Sequence, residues 1–300
     1  MTTINNLIEQ IGRVVLGKET EIRLALTCAL ARGHLLLEDL PGMGKTTLAH
    51  TLANVLGLSF NRVQFTSDLL PADITGGMIF IPEEKRFEFR KGPIFNQVLL
   101  ADEINRASPK TQSALLEAME EKQVTVENGS YPLPDVFFVI ASQNPGYQLG
   151  TFGLPESQLD RFLMKVSLGY PDPDSEKRLL LGQAPSHRSL EKLLSEEELV
   201  YLQKKVEQVA MKEPVVLLIQ EILKYSRQSG VFTHGLSPRA GIGLVAASKA
   251  WAIVHERNYV IPEDVIAVVE PVVNHRLVFA ETAQHKLPSE VILSAIKVPV

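Results

Sequence analysis

The chain has 300 residues, a soft prior for two domains and enough length for a sizeable core. It is 45% hydrophobic and 22% charged with a formal net charge of -5. That is an ordinary globular balance, and its acidity argues against non-specific nucleic-acid binding, which needs clustered Lys and Arg. A local basic patch is not excluded. The single cysteine, Cys28, rules out an intrachain disulfide and lies in the apolar run 25–30, which predicts a buried structural thiol. The N-terminus lacks a basic start and an apolar core, and no apolar run approaches the ~20 residues that span a bilayer. A cytoplasmic protein with no membrane span is expected.

In chain order, residues 1–34 read as helical with a break near Gly17. Strand-like apolar runs follow at 34–38, 62–65, 98–102, 136–141 and 164–168. Helical patterns at 45–56 and 110–122 follow the first and third of them. This alternation predicts an α/β core, a five-stranded, mostly parallel sheet covered on both faces. Two segments break the rhythm. Residues 78–90 place two strand-like runs around a charged turn, and 123–133 place Asn128-Gly129 between their arms, a strong hairpin cue. Both are expected to be β-hairpin inserts. The composition shifts at 170–174, where two prolines alternate with aspartates as in a linker or sharp turn. Beyond it 195–211, 213–228, 238–257 and 262–279 read as helices. The predicted organisation is an α/β core over 1–172 and a smaller all-α domain over 173–300.

Residues 35–47 run as an apolar strand, a turn containing Pro41, Gly42, Met43 and Gly44, and then Lys45, Thr46 and Thr47 opening a helix. That is the layout of a phosphate-binding loop, in which backbone N–H groups and the helix N-terminus wrap around phosphate oxygens. Lys45 would reach the β- and γ-phosphates, and the Thr46 hydroxyl would ligate Mg²⁺. The general pattern wants Gly five residues before Gly44, and Asp39 stands there.

Asp102 and Glu103 end an apolar strand, at the sheet edge where α/β folds bind ligands. Asp102 would hold Mg²⁺ through its water shell, and Glu103 would polarise a water for attack on the γ-phosphate. Taken alone, the pair also fits a strand ending in solvated acids; the upstream loop favours chemistry. Asn144 follows the next strand and offers an amide to the attacking water or the γ-phosphate, or simply begins an Asn-Pro turn. Ser237 and Pro238 look like the N-cap and first residue of a helix, placing Arg239 in a first turn where the dipole disfavours a cation. Either an anion lies nearby, such as a nucleotide phosphate, or Arg239 is a surface residue of small cost. Arg161, just before the fifth strand, reads as an exposed helical Arg paired with Asp160 or Glu156, and local spacing alone does not promote it above that.

The order of these motifs resembles that of AAA+ ATPases and, among them, the MoxR family. The resemblance covers nearly the whole chain and rests on residues 40–46, 64–73, 92–95, 101–107, 115–121, 143–145 and 159–162. It implies an AAA+ core with a helical lid, using ATP and Mg²⁺. Lys45 and Thr46 match Walker A, Asp102 and Glu103 Walker B, Asn144 sensor 1 and Arg239 sensor 2. Arg161 resembles the arginine finger that serves a neighbouring subunit, which implies a homo-hexameric ring. Val14, Val15, Leu16 and Gly17 match the segment that packs on adenine, although Lys18 stands where many relatives carry Gln. Asp39 is familiar in MoxR-like chains. The hairpins resemble the helix-2 insert and the pre-sensor-1 hairpin, which often face the central pore. Such proteins are thought to remodel or activate partner proteins, often ones with von Willebrand factor A domains. The alternatives are a nucleic-acid motor and a nucleotide-gated switch with slow hydrolysis. A GTPase is disfavoured, since no Asn-Lys-x-Asp motif occurs.

Overall fold

The structure, a computed structural model, describes residues 4–126, 129–145, 151–183, 185, 190–281 and 286–298. Helices α1 (Ile4–Val14) and α2 (Glu19–Leu30) come first, and Gly17 at φ 69° breaks the chain between them. The core follows as β1 (Leu35–Glu38), α3 (Lys45–Val55), β2 (Phe60–Gln64), α4 (Pro71–Thr75), β3 (Gly76–Ile81), β4 (Arg86–Lys91), β5 (Val98–Asp102), α5 (Pro109–Glu121), β6 (Gln123–Val126), β7 (Gly129–Pro132), β8 (Phe138–Gln143), α6 (Glu156–Leu159) and β9 (Met164–Val166). Helices α7 (Pro173–Leu180), α8 (Glu196–Gln208), α9 (Glu213–Gln228), α10 (Pro238–Val254), α11 (Pro262–Val273) and α12 (Pro288–Ala295) complete the chain.

Five strands form one parallel sheet in the order β2-β5-β8-β1-β9. Their side chains divide by the two-residue period of a strand. Leu35, Leu37, Val98, Leu100, Phe138 and Ile140 join a core with α1, α2, α3 and the C-terminal helices. Leu36, Leu99, Ala101, Val139 and Ala141 join a second core with α5 on the other face. Fully burying a Leu is worth roughly 1.5–3 kcal/mol. Strand propensities span only ~1 kcal/mol. Burial on both faces therefore selects these runs as inner strands, as the continuous apolar pattern predicted. The hairpins β3–β4 and β6–β7 are antiparallel and separate from the sheet.

The C-terminal helices pack around α10, which touches α11, α2, α8 and α9. Ser195 and Ser237 cap α8 and α10 by accepting from Glu198 N and Ala240 N. Each such cap contributes about 1 kcal/mol.

Several elements differ from the sequence expectation. The proline-rich stretch at 170–174 is more than a linker: Asp172 accepts from Asp174 N and Ser175 N, and Pro173 opens α7. Proline at the first helical position loses no bond, so an Asp-Pro pair starts a helix as readily as a turn. Helices α4 and α12, also opened by prolines, were likewise unforeseen. Strand β8 lies two residues later than the 136–141 run, and α11 ends at Val273 rather than 279. Asn128, half of the Asn-Gly cue, lies outside the described residues. Among those residues no helix is long and apolar enough to cross a membrane.

Candidate functional site

All five core strands are parallel, so their C-terminal ends share one edge of the sheet. That edge assembles the site from four of them: β1 leads into residues 39–47, β5 ends at Asp102, β8 ends at Gln143, and β2 ends at Gln64, paired in register with Asp102.

The loop between β1 and α3 has its two glycines in the left-handed region, Gly42 at φ 87° and Gly44 at φ 90°. A Cβ at either would be strained, yet it would meet no atom within 4 Å. The loop therefore curves around open space, and its glycines are needed for backbone shape. Lys45 is buried, and its Nζ donates to the carbonyls of Asp39 at 2.5 Å and Leu40 at 3.3 Å. Burial pulls the Lys45 pKa down, opposed by the charges of Asp39, Asp102, Glu103 and Glu38.

Two cavities meet across this loop. A pocket of about 350 Å³ is lined by Lys45, Thr46, Thr47, Arg62, Gln64, Asp102, Glu103 and Asn144. A cleft of about 600 Å³ on the other side is lined by Val14, Val15, Leu16, Lys18, Tyr170, Pro171, Leu179 and Leu180, among others. Pro41, Gly42, Met43, Gly44 and Thr47 border both. A polar pocket joined to a more apolar cleft through a glycine loop matches the two ends of a nucleotide.

Glu103 is held on every side. Its backbone sits at φ 56°, uncommon for a residue with a Cβ and typical of functional positions that the surroundings over-determine. Its N–H donates to Ser142 Oγ at 2.8 Å. Its carboxylate accepts from Gln64 Nε2 at 2.9 Å, Arg106 Nη1 at 2.8 Å and Asn144 Nδ2 at 3.3 Å. Asp102 accepts from the Ser142 hydroxyl and, at its other oxygen, from Arg62 Nε at 3.0 Å and Nη2 at 2.7 Å. Two carboxylates, Asp102 and Glu103, and two hydroxyls, Thr46 and Thr47, line the pocket. That sparse oxygen set suits Mg²⁺, which keeps waters and takes phosphate oxygens rather than an all-protein cage. No group of three or more His, Cys, Asp or Glu that could hold a metal occurs among the described residues.

The structure thus brings together Lys45, Thr46, Thr47, Asp102, Glu103 and Asn144, and places Val15 in the cleft. Gly17 lines neither cavity; at its positive φ it abuts Asp172 and Ser175 at the start of α7. Arg161 and Arg239 also stay out of both, and they converge elsewhere. Arg161 Nε donates to Glu120 Oε2 at 2.8 Å, and Arg239 Nη2 donates to Glu120 Oε1. These two hydrogen bonds, first Arg239 and then Arg161, hold the Glu120 carboxyl below its usual range. The anion beside the first turn of α10 is therefore a carboxylate. Neither Asp160 nor Glu156 is Arg161's partner: Asp160 is taken by Arg276 Nε at 2.7 Å and Ser237 Oγ at 3.0 Å. Sequence reasoning did not single out Arg62 or Ser142, and gave Gln64, Arg106 and Glu120, which lie within the motif segments, no role of their own. Apart from Arg106, near Glu103 in sequence, all are far from their partners along the chain; strand order brings Arg62, Gln64 and Ser142 to the acids, and the packing of α5 against the α6–β9 turn and α10 brings Glu120 to its arginines.

A parallel five-stranded sheet with a glycine phosphate loop after its first described strand, acids at the end of β5 and a helical domain beside them defines a P-loop nucleoside-triphosphatase fold. Residues 34–164 match the family model described as "ATPase family associated with various cellular activities (AAA)", and 224–296 match the AAA lid domain. Chaperone MoxR1 of Mycobacterium tuberculosis is 36% identical over 98% of this chain and 81% of its own. The uncharacterized protein YeaC of Bacillus subtilis is 44% identical over 99% of this chain and 95% of its own. An ATPase candidate from Cytophaga hutchinsonii, solved by crystallography, superposes with a TM-score of 0.90 at 37% identity, covering 99% of this chain and 95% of that one. The chain belongs to the MoxR family of AAA+ ATPases.

Proposed function

We propose that the chain hydrolyses ATP to ADP and phosphate with Mg²⁺, and uses the cycle to remodel or activate partner proteins as a ring. One observation carries the hydrolytic part: Glu103 and Asn144 share a hydrogen bond in the pocket that also holds Lys45, Thr46 and Asp102. In this reading the adenine lies in the cleft against Val15 and Leu16, and the triphosphate threads the loop. Lys45 exchanges its two carbonyl partners for β- and γ-phosphate oxygens. Bound Mg²⁺ neutralises phosphate charge, and Thr46 and Asp102 are the residues that would hold it. Glu103 accepts a proton from the water that attacks the γ-phosphorus, while the bond to the ADP oxygen breaks. Asn144, already on Glu103, orients that water.

The placement of Arg161 outside its own phosphate pocket supports a role toward a neighbouring copy's ATP. Arg239, at the start of lid helix α10, would couple lid position to nucleotide once it leaves Glu120. The division into a core over 1–172 and a lid over 173–300 remains part of this proposal. The relative's name as a chaperone, and the exposed Phe80 and Phe87 on hairpin β3–β4, support action on a protein partner. A von Willebrand factor A domain protein is the partner class proposed, in the cytoplasm.

The Glu103→Gln variant tests the chemistry. It should bind ATP as the wild type does and lose turnover by about 10²-fold or more, the scale of general-base contributions. Turnover at the wild-type rate would remove Glu103 as the base. The same variant, held in its loaded state, should retain a ring and its protein partner in a pulldown with ATP. Capture of nucleic acid instead would favour a motor.

A further inference from the structure

The phosphate loop departs from the general pattern at Asp39, and the backbone does not demand glycine there. Asp39 is not among the residues with positive φ, unlike Gly42 and Gly44. Its side chain is buried and fully engaged. Oδ1 accepts from Ser167 Oγ at 2.7 Å and Gly169 N at 3.1 Å, and Oδ2 accepts from Leu168 N at 2.6 Å. Its carbonyl accepts from Lys45 Nζ at 2.5 Å, and its N–H donates to Gln143 O at 3.4 Å. One residue therefore joins the loop lysine, the end of β8 and the chain leaving β9.

The chain leaving β9 forms a wall of the larger cleft. Gly169, Tyr170 and Pro171 line it together with Leu40 and Pro41 of the phosphate loop. Gly169, at φ 60°, turns the backbone there, and its N–H is on Asp39. Without the carboxylate, the buried Leu168 N–H and its neighbours lose charge-assisted bonds, which are roughly twice as strong as neutral ones. The cleft wall would then be free to move relative to the loop.

We propose that Asp39 is a positioning residue that locks this wall to the phosphate loop, so that both ends of a nucleotide are gripped by one frame. The inference rests on the nucleotide reading of the site. A ligand that touches only the phosphate loop would not sense the lock, whereas one spanning loop and cleft would. Asp39→Gly, which restores the general motif, should therefore weaken the protein's grip on ATP rather than improve it.

The test is calorimetric titration of wild type, Asp39→Gly and Ser167→Ala with ATP and, separately, with inorganic tripolyphosphate, both with Mg²⁺. Asp39→Gly should weaken ATP by about tenfold or more and leave tripolyphosphate within about twofold. Ser167→Ala removes one of the three bonds and should show the same split at a few-fold, with no further loss when added to Asp39→Gly. If Asp39→Gly does not fold, the split in Ser167→Ala decides. Equal weakening of both ligands, or unchanged ATP affinity, overturns the proposal while leaving the site reading intact. A wild type that binds tripolyphosphate but not ATP, or neither, overturns both.

Discussion

Glu103 takes a left-handed backbone conformation at φ 56°, which costs a residue with a Cβ of order 1–3 kcal/mol. Ser142 and Asn144 from β8 and its end, Gln64 from β2 and Arg106 from its own loop hold it there together. His34, just before β1, shows the opposite situation, a titratable group held neutral. Its Nδ1 accepts the Val139 N–H at 3.0 Å, and burial pulls its pKa from 6.5 to about 4. The Met119 backbone bond opposes that shift, and the charge of Lys122 adds to it. The unfolded chain therefore takes up this proton at a higher pH than the folded one. The stability linked to neutral His34 is complete above pH 6.5 and is lost as pH falls toward 4, about 3 kcal/mol in all. His275, also buried with its pKa lowered by burial, acts in the same direction. Urea unfolding between pH 7 and 4 should show this decline. His34→Asn, whose Oδ1 replaces the Nδ1 acceptor without titrating in this range, should flatten it in part. An identical pH dependence in the variant would mean that His34 is not the linked group.

Besides the apolar core it shares with α2, the lid is tied to the core by polar bonds at the turn between α6 and β9. The side chain of Arg276, after α11, is 5% exposed and donates to Asp160 Oδ1 at 2.7 Å, to the Leu163 carbonyl at 3.2 Å and to the Phe162 carbonyl at 2.5 Å. Ser237, the cap of α10, adds its hydroxyl to Asp160. Removing one partner of a fully buried ion pair costs about 3–5 kcal/mol; Asp160 is 23% exposed and keeps Ser237, so the loss here falls below that range. Arg276→Met should thus lower the thermal midpoint and loosen α10 and α11 first, seen as faster amide exchange in those helices than in β5 or β8. Unchanged exchange in α10 and α11 would show that the tie is not what holds them. At this scale the sequence was partly legible. Val98–Asp102 was found to the residue because a strand buried on both faces leaves an unbroken apolar run. α7 was lost because Asp-Pro marks turns and helix starts alike. The loop and the acids were visible as contiguous motifs. Arg62 and Ser142 were not, since their meeting with Asp102 depends on β2 and β8 flanking β5, an order that no local pattern encodes.

At the scale of the whole molecule, the proposed sharing of sites between copies turns on where Arg161 and Arg239 rest in one chain. Its phosphate pocket holds Lys45 and, on Asp102, Arg62, but neither Arg161 nor Arg239 lines it. Both arginines rest on the two oxygens of one carboxylate, Glu120, which is a third exposed. A nucleotide-loaded assembly in which Arg161 serves the neighbouring site must pull it from Glu120. The cost is small, because partly exposed ion pairs contribute about 0–1 kcal/mol. A site shared between copies makes a prediction that a self-contained site does not. Arg161→Ala keeps its own loop intact but fails its neighbour; Lys45→Ala loses its own loop but still offers Arg161. Each variant alone should be inactive as an ATPase. Mixed and allowed to exchange subunits, they should regain activity at those interfaces where an intact Lys45 meets an intact Arg161. Peak recovery should fall near equal proportions and disappear when Arg161→Ala and Lys45→Ala are placed in the same chain. A mixture as inactive as its parts, under conditions where exchange is demonstrated by labelled subunits, would place the whole site within one chain.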